Sequence, residues 1–318
     1  MRMKAIARLM PLLTLGIASG QASAAGFQLL EQTASGIGNA YAGSATVAEN
    51  ASTIFYNPAG MTQLQEREAS VGLSIVRPTF KFKNQGSSTG VLGTAGNGGD
   101  AGSWAFLPNG YLSWAITKDL YVGVGLGAPF GLMTEYDDPW IGGAQAIKFD
   151  IKTYNINPSV AYRINDKVSV GGGLNYQRME AEYVRLATVT SAALAATRVT
   201  LDAGNNAWGW NVGALFTLSP STKVGVSYRS KIKHELKGDL SFSGPAAGVA
   251  PTLTTGSAKA NVDLPDTFIL SVVQNLNDKW EMLGDISWTG WSSIPKVDIV
   301  RTSGILSGGT VQTLDTHF

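Results

Sequence analysis

His234 and His317 are the only imidazoles in this 318-residue chain, which has no cysteine. A Ser–His dyad needs a histidine within reach of a nucleophile. His234 stands among Lys231, Lys233 and Lys237 with no nucleophile signature beside it, and His317 is next to the last residue. Two imidazoles without a thiolate also fall short of a zinc set. The residues point to no enzyme, no metal and no cofactor, and the chemistry left is recognition. By strand parity Arg185 and Arg229 fall on the small, polar face of their strands, with Met179 and Tyr183 near the former. A guanidinium so placed offers charge-assisted hydrogen bonds to a carboxylate. The alternative is ordinary charge facing water. These four residues are the ligand-binding candidates.

Backbone chemistry marks two further places. In Gly127-Ala128-Pro129-Phe130-Gly131 the proline lacks a ladder N–H, and the glycines mark a bulge or a close approach. A strand running out into a loop would read the same way, and Pro158 carries the same ambiguity. In Asn57-Pro58-Ala59 the Asn57 amide can cap or turn the chain while Pro58 fixes its own φ, as in any ordinary turn.

The elements that must position these residues are strands. Charged residues make up only 15% of the chain, the net charge is +1 and glycine reaches 38 residues. Scattered, balanced charge leaves no nucleic-acid footprint. Arg2, Lys4 and Arg8 precede a short apolar run, Leu9 to Ala18, and then Ala22-Ser23-Ala24, the pattern of a secretory signal peptide over residues 1–24. The run is well short of the roughly 20 residues that a spanning helix needs. Any membrane insertion must therefore be by a closed barrel.

From Ala69 onward, apolar residues alternate with small or polar ones. Examples are Ala69, Val71, Leu73 and Ile75, then Leu120, Val122, Val124 and Leu126, then Trp208, Trp210 and Val212. The period of two gives about nine or ten strands. Tight turns at Lys118, Asp166, Pro220 and Asp278 alternate with long connections over 84–102, 133–145, 188–198 and 244–258. Short turns on one side and long loops on the other describe an outer-membrane barrel. Trp104, Tyr121, Tyr162, Trp208 and Trp280 fall near strand ends, where an aromatic girdle would lie. The face opposite the apolar one carries Asn175, Gln177, Arg229, Lys231, Lys233, Glu281 and Asp285, as a wet lumen requires. The small-residue segment between signal and strands reads as a plug. The expected architecture is all-β: a transmembrane antiparallel β-barrel over 67–318, with an N-terminal plug over 25–66 inside its lumen.

Four stretches resemble the FadL-type outer-membrane transporters of hydrophobic compounds. They are Gly26-Phe27-Gln28-Leu29 with Ser35-Gly36-Ile37-Gly38-Asn39-Ala40-Tyr41-Ala42-Gly43; Asn57-Pro58-Ala59; Ser227-Tyr228-Arg229-Ser230 with Lys237-Gly238-Asp239; and Leu264-Pro265-Asp266-Thr267 with Trp280, Gly284-Asp285 and Trp288-Thr289-Gly290-Trp291. NPA alone occurs by chance, whereas the ordered set is specific. The resemblance implies a fourteen-stranded barrel with a hatch inside, so a chain with about ten strands is expected to continue beyond Phe318. It implies capture of an apolar solute at the extracellular loops, passage gated by the hatch, and sideways exit through the barrel wall. Phe27, Leu29, Asn57, Pro58 and Ala59 then belong to the hatch, and Gly127, Pro129, Phe130 and Gly131 to the lateral opening. The implied cargo is a long-chain fatty acid, with monoaromatic hydrocarbons of the toluene type as the alternative. A passive porin or an adhesin barrel is the rival from another class. The implied partners are a hydrophobic small molecule, outer-membrane lipid and lipopolysaccharide, with no nucleic acid. The implied state is a monomer in the outer membrane of a Gram-negative bacterium.

Overall fold

Two-residue periodicity puts each strand's apolar residues on one face, and the computed structural model joins these strands into one antiparallel sheet of fourteen segments. It describes residues 26–87, 90–188, 190–247, 254–304 and 307–316. The expected signal peptide, Ala25 and Phe318 lie outside the described residues. The segments are β1 (Arg67–Val76), β2 (Ala105–Ala115), β3 (Leu120–Gly127), β4 (Gly131–Glu135), β5 (Lys148–Asn165), β6 (Val168–Leu186) and β7 (Arg198–Ser219). They continue with β8 (Thr222–Arg229), β9 (Ile232–Ser243), β10 (Gly256–Leu264), β11 (Thr267–Asn277), β12 (Trp280–Thr289), β13 (Lys296–Arg301) and β14 (Thr310–Asp315).

Fourteen segments make only ten passes, because four passes are broken in two. β5 pairs with β3 along one half and with β4 along the other. β7 pairs with β8 and then β9, while β11 and β10 pair with β12 and β13 respectively. The apolar alternation therefore counts passes, and the breaks raise the number of segments. Among the described residues β1 and β14 end the run of paired strands, and β4 and β12 each pair with a strand on one side only. Connections of two to four residues at 116–119, 166–167, 220–221 and 278–279 alternate with long ones at 77–104, 136–147, 187–197, 244–255 and 302–309.

The outward face exposes Val71, Leu73, Leu112, Trp114, Tyr162, Trp208, Trp210, Ile286 and Trp288. An apolar band of this kind suits contact with lipid. Two girdle expectations change. Tyr121 is buried against Ile54 and Met61 on the inner side, and Trp208 lies in the middle of the 22-residue β7. Lys233 also departs from its expected lumen position. The break at Ser230-Lys231 inverts strand parity, so β8 turns Ser227 inward whereas β9 turns His234 and Leu236 inward and exposes Lys233. Pro158 does not end β5, which runs through it in constant register with β3, but the ladder with β6 skips Asn157 and Pro158.

Residues 26–64 fold against the inner face. They contain little regular structure beyond a one-turn helix, Thr53–Tyr56, and the 3-10 turns Ser35–Asn39 and Pro58–Gln63. Ala51, Ile54, Met61 and Leu64 bury themselves against Tyr111, Tyr121 and Ala161 of the wall.

Candidate functional site

The ladder between β2 and β3 ends at the pair Gly110–Leu126, yet β2 continues to Ala105. Both edges of the resulting gap carry proline: Pro108 on β2 and Pro129 just beyond β3. Neither has an N–H to bridge it. On the other side the register shifts, with Gly127 opposite Asn155 but Gly131 opposite Lys152. Four steps on one strand face three on its partner, which is a one-residue bulge. The bulge is pinned, because the Phe130 amide donates to Thr153 Oγ1 at 2.9 Å and the Thr153 hydroxyl donates back to the Phe130 carbonyl at 2.7 Å.

The first residues of the N-terminal segment lie across this bulge, joined to it by an antiparallel bridge of Gln28 with Phe130. The Leu29 amide donates to the Pro129 carbonyl at 2.8 Å, and the Gly131 amide donates to the Phe27 carbonyl at 3.0 Å. Gln28 reaches the opposite wall, donating to Thr267 Oγ1 and accepting from Thr289 Oγ1, both at 3.2 Å. Thr267 and Thr289 border a second line of breaks, at 230–231, 265–266 and 290–295, which falls at one level because Arg229, Thr267 and Thr289 are register partners. Trp291, within that line, packs on Phe27 with centroids 5.3 Å apart, and Phe130 packs on Phe27 at 5.8 Å. Gly26 takes φ +53°, and a Cβ there would meet the Trp291 ring at 2.8 Å. Gln32 completes the tie by donating to the Ala128 carbonyl at 2.9 Å while accepting from Tyr111 at 2.8 Å through its own carbonyl.

Beside this arm lies a cavity of about 1190 Å³. Its lining includes the buried, inward Phe130, Ile151 and Thr153 and also the exposed, outward Phe106, Leu126 and Tyr154. The cavity therefore passes through the wall where β2 and β4 fail to pair. Phe27, Leu29, Gly127 and Gly131 line it as well.

The rest of the N-terminal segment is seated by glycine. Asn57 is fully buried; its Nδ2 donates to Ala45 O at 2.7 Å and to Ala214 O of β7 at 3.0 Å, and its Oδ1 accepts from the Ala59 amide at 3.1 Å. That last bond caps the 3-10 turn that Pro58 opens. A Cβ on Gly171 of β6 would lie 2.5 Å from Ala59 N, and one on Gly213 of β7 would lie 2.1 Å from Asn57 Oδ1. Asp285 accepts from the Gly43 and Ser44 amides at 3.0 and 3.3 Å. Burial, helped by Glu31, raises the Tyr41 hydroxyl to about 12, and burial lifts that of Tyr56 further still. Both stay donors, to Thr33 O at 3.0 Å and Leu30 O at 2.6 Å.

The residues singled out from sequence divide accordingly. Phe27, Leu29, Gly127, Phe130 and Gly131 meet at the cavity, and Pro129 supplies the carbonyl that anchors Leu29. Asn57, Pro58 and Ala59 form the seat. Met179 is buried in one cluster with Phe27 and Phe130. None of the four ligand-binding candidates lines the cavity. Tyr183 donates to Gln145 O; Arg185 donates to Leu186 O at 2.9 Å and Val311 O at 3.2 Å. Arg229 donates to Asn175 Oδ1 and to Phe55 O at 2.8 Å, and stacks over the Phe55 ring at 4.3 Å. Its guanidinium holds the N-terminal segment. His234 is buried between Gln177 Oε1 (3.0 Å) and Asn205 Oδ1 (3.2 Å), with no nucleophile bonded to it. Pro108 and Thr153 escaped the sequence reading, and Trp291 entered it only as part of a resembling stretch, with no role at the site. Pro108 had a signal, being a proline inside a strand pattern.

An antiparallel wall with an apolar outer face, a polar inner one, a folded segment seated inside and a passage through one side is a plugged membrane β-barrel. The family model described as outer membrane protein transport protein (OMPP1/FadL/TodX) matches residues 15–318, and the chain belongs to that family. It is a transport protein of the Gram-negative outer membrane and not an enzyme. It is 29% identical to the long-chain fatty acid transport protein of Escherichia coli (strain K12), over 90% of this chain and 71% of the relative. It is 33% identical to the 47 kDa outer membrane protein of Pasteurella multocida (strain Pm70), over 91% and 71%. Among solved structures it is similar to a Pseudomonas aeruginosa FadL homologue (TM-score 0.77, 24% identity, 92% of this chain and 74% of that one). It is also similar to the Ralstonia pickettii toluene transporter TbuX (TM-score 0.65, 17% identity, 86% and 75%).

Proposed function

We propose that this protein carries long-chain fatty acids into the outer membrane, with residues 25–66 as the hatch and 67–318 as barrel wall behind a signal peptide of 1–24. The observation that carries the reading is the cavity whose lining runs from buried Phe130 and Ile151 to exposed Phe106 and Tyr154. An apolar solute in it can reach lipid without crossing water, which transfer free energy favours for every methylene. Phe27 and Leu29 close its inner side, and Gly127, Pro129, Phe130 and Gly131 keep the wall from zipping shut. Met179 backs Phe27. Asn57, Pro58 and Ala59 hold the hatch in its seat, and capture begins at the long loops. The sequence relatives named for long-chain fatty acid transport, together with the size of the cavity, support a fatty acid over a toluene-type cargo. The test is uptake of labelled oleate and labelled toluene, measured separately in a Gram-negative strain lacking its own fatty-acid transporter. Oleate uptake without toluene uptake is the expected result. Toluene uptake alone would move the protein to the hydrocarbon branch, and uptake of neither would overturn the transport reading.

A further inference from the structure

The cavity has a polar corner. A recess of about 10 Å³ adjoins it, sharing Leu126, Gly127 and Asn155 with the large chamber and closed by Gln32, Tyr111 and Asn157. That is room for one water-sized group. Gln32 Oε1, Asn155 Oδ1 and Asn157 Oδ1 are buried and have no hydrogen-bond partner among the described residues. The three side chains are 1%, 5% and 2% exposed.

The nitrogens of these amides are already committed. Gln32 Nε2 donates to Leu29 O at 3.2 Å and Ala128 O at 2.9 Å. Asn155 Nδ2 donates to Asn175 Oδ1 at 3.1 Å, and Asn157 Nδ2 donates to Leu174 O at 2.8 Å and Asn211 Oδ1 at 3.0 Å. The network thus fixes each amide with its carbonyl side left over. The Tyr111 O–H is spent on the Gln32 main-chain carbonyl at 2.8 Å, not on Oε1. The recess therefore offers acceptors and asks for a donor, and a buried acceptor left without one costs stability.

We propose that this recess is the head-group subsite of the chamber and takes a neutral O–H donor, the protonated carboxyl of a fatty acid or the hydroxyl of a fatty alcohol. The chain of the amphiphile lies along Phe130 and Leu132 toward the wall gap. An ionised carboxylate brings only acceptors and is repelled by three carbonyl oxygens. The same selection suits exit into lipid, because an apolar surrounding favours the neutral form of a carboxyl. The inference rests on the reading of the chamber as an apolar-ligand cavity.

The test is equilibrium binding of labelled 1-hexadecanol, 1-methoxyhexadecane and hexadecane to the purified full chain in detergent. The alcohol should bind about fivefold tighter than its methyl ether, the value of one net hydrogen bond. In Gly127→Ala the ratio should fall toward one, because the new Cβ would stand 2.4 Å from Gln32 Oε1, filling the recess and forcing that acceptor to shift. Asn157→Leu, which removes an acceptor, should lower the ratio independently. Equal binding of alcohol and ether by the unaltered chain would mark a site for water alone and overturn the subsite. A ratio that survives in both variants would overturn it too. Failure to bind any of the three, hexadecane included, would overturn the chamber reading itself and the subsite with it.

Discussion

The Gly131 amide donates to the Phe27 carbonyl at 3.0 Å, so the start of the hatch is laced to the far half of the strand that breaks at Pro129. The arm that covers the passage and the wall that fails to close it are one hydrogen-bonded unit. A movement of either must be felt by the other.

Leu29→Pro removes the second rung of that lacing, the bond from the Leu29 amide to the Pro129 carbonyl at 2.8 Å. One such bond is worth about 1 kcal/mol net, so exchange of the Gly131 amide should quicken by about fivefold. Hydrogen exchange by mass spectrometry over 127–133 reads this directly. Unchanged protection would mean that the arm does not hold the bulge.

Asn57 separates a seat from a mere turn. Asn57→Ala removes a donor to Ala45 O and Ala214 O, at a cost of about 2–4 kcal/mol in hatch docking. Asn57→Asp should be worse, since a carboxylate oxygen would face those two carbonyls. Steady conductance in planar bilayers should rise in the order native, Ala, Asp. The reverse order would show that the amide nitrogen is not the anchor.

The wall side of the seat is tested without touching the hatch. A Cβ on Gly171 would collide with the Ala59 amide at 2.5 Å, backbone that cannot swing aside, whereas one on Gly284 meets nothing within 4 Å. Gly171→Ala should raise conductance and Gly284→Ala should not. Equal traces from the two would remove the glycine socket from the account.

Arg229 was a candidate for a ligand carboxylate, but its guanidinium is spent on Asn175 and Phe55. Arg229→Lys loses the forked geometry and part of the stacking over Phe55. It should weaken uptake of oleate and of a neutral C16 hydrocarbon by similar factors, measured side by side in cells. A loss confined to oleate would restore the carboxylate role.

How far the sequence was legible follows from where the information is local. Val71, Leu112 and Trp210 announce their strands because lipid-facing alternation is a two-residue pattern. Pro129 flanked by Gly127 and Gly131 announces the bulge because backbone chemistry is written in single residues. Lys233 was misplaced because alternation predicts a face only until a break inverts it, and nothing near Ser230 signals the inversion. The tie of Arg229 to Phe55 was illegible because the two lie 174 residues apart in the chain. The meeting of Trp291 with Phe27 is likewise long-range, so no local pattern encodes it.

Lateral exit depends on the opening between β2 and β4, and deletion of Pro129 tests it most directly. Removing that residue brings three steps opposite three between Gly127 and Gly131, erases the bulge and restores a continuous row of ladder groups opposite Ala105 to Asn109, where Pro108 alone still lacks a donor. In a strain without its own transporter, with the variant assembled in the outer membrane at the native level, oleate uptake should fall to that of cells lacking the protein. Native uptake by the assembled deletion variant would contradict lateral exit through this gap.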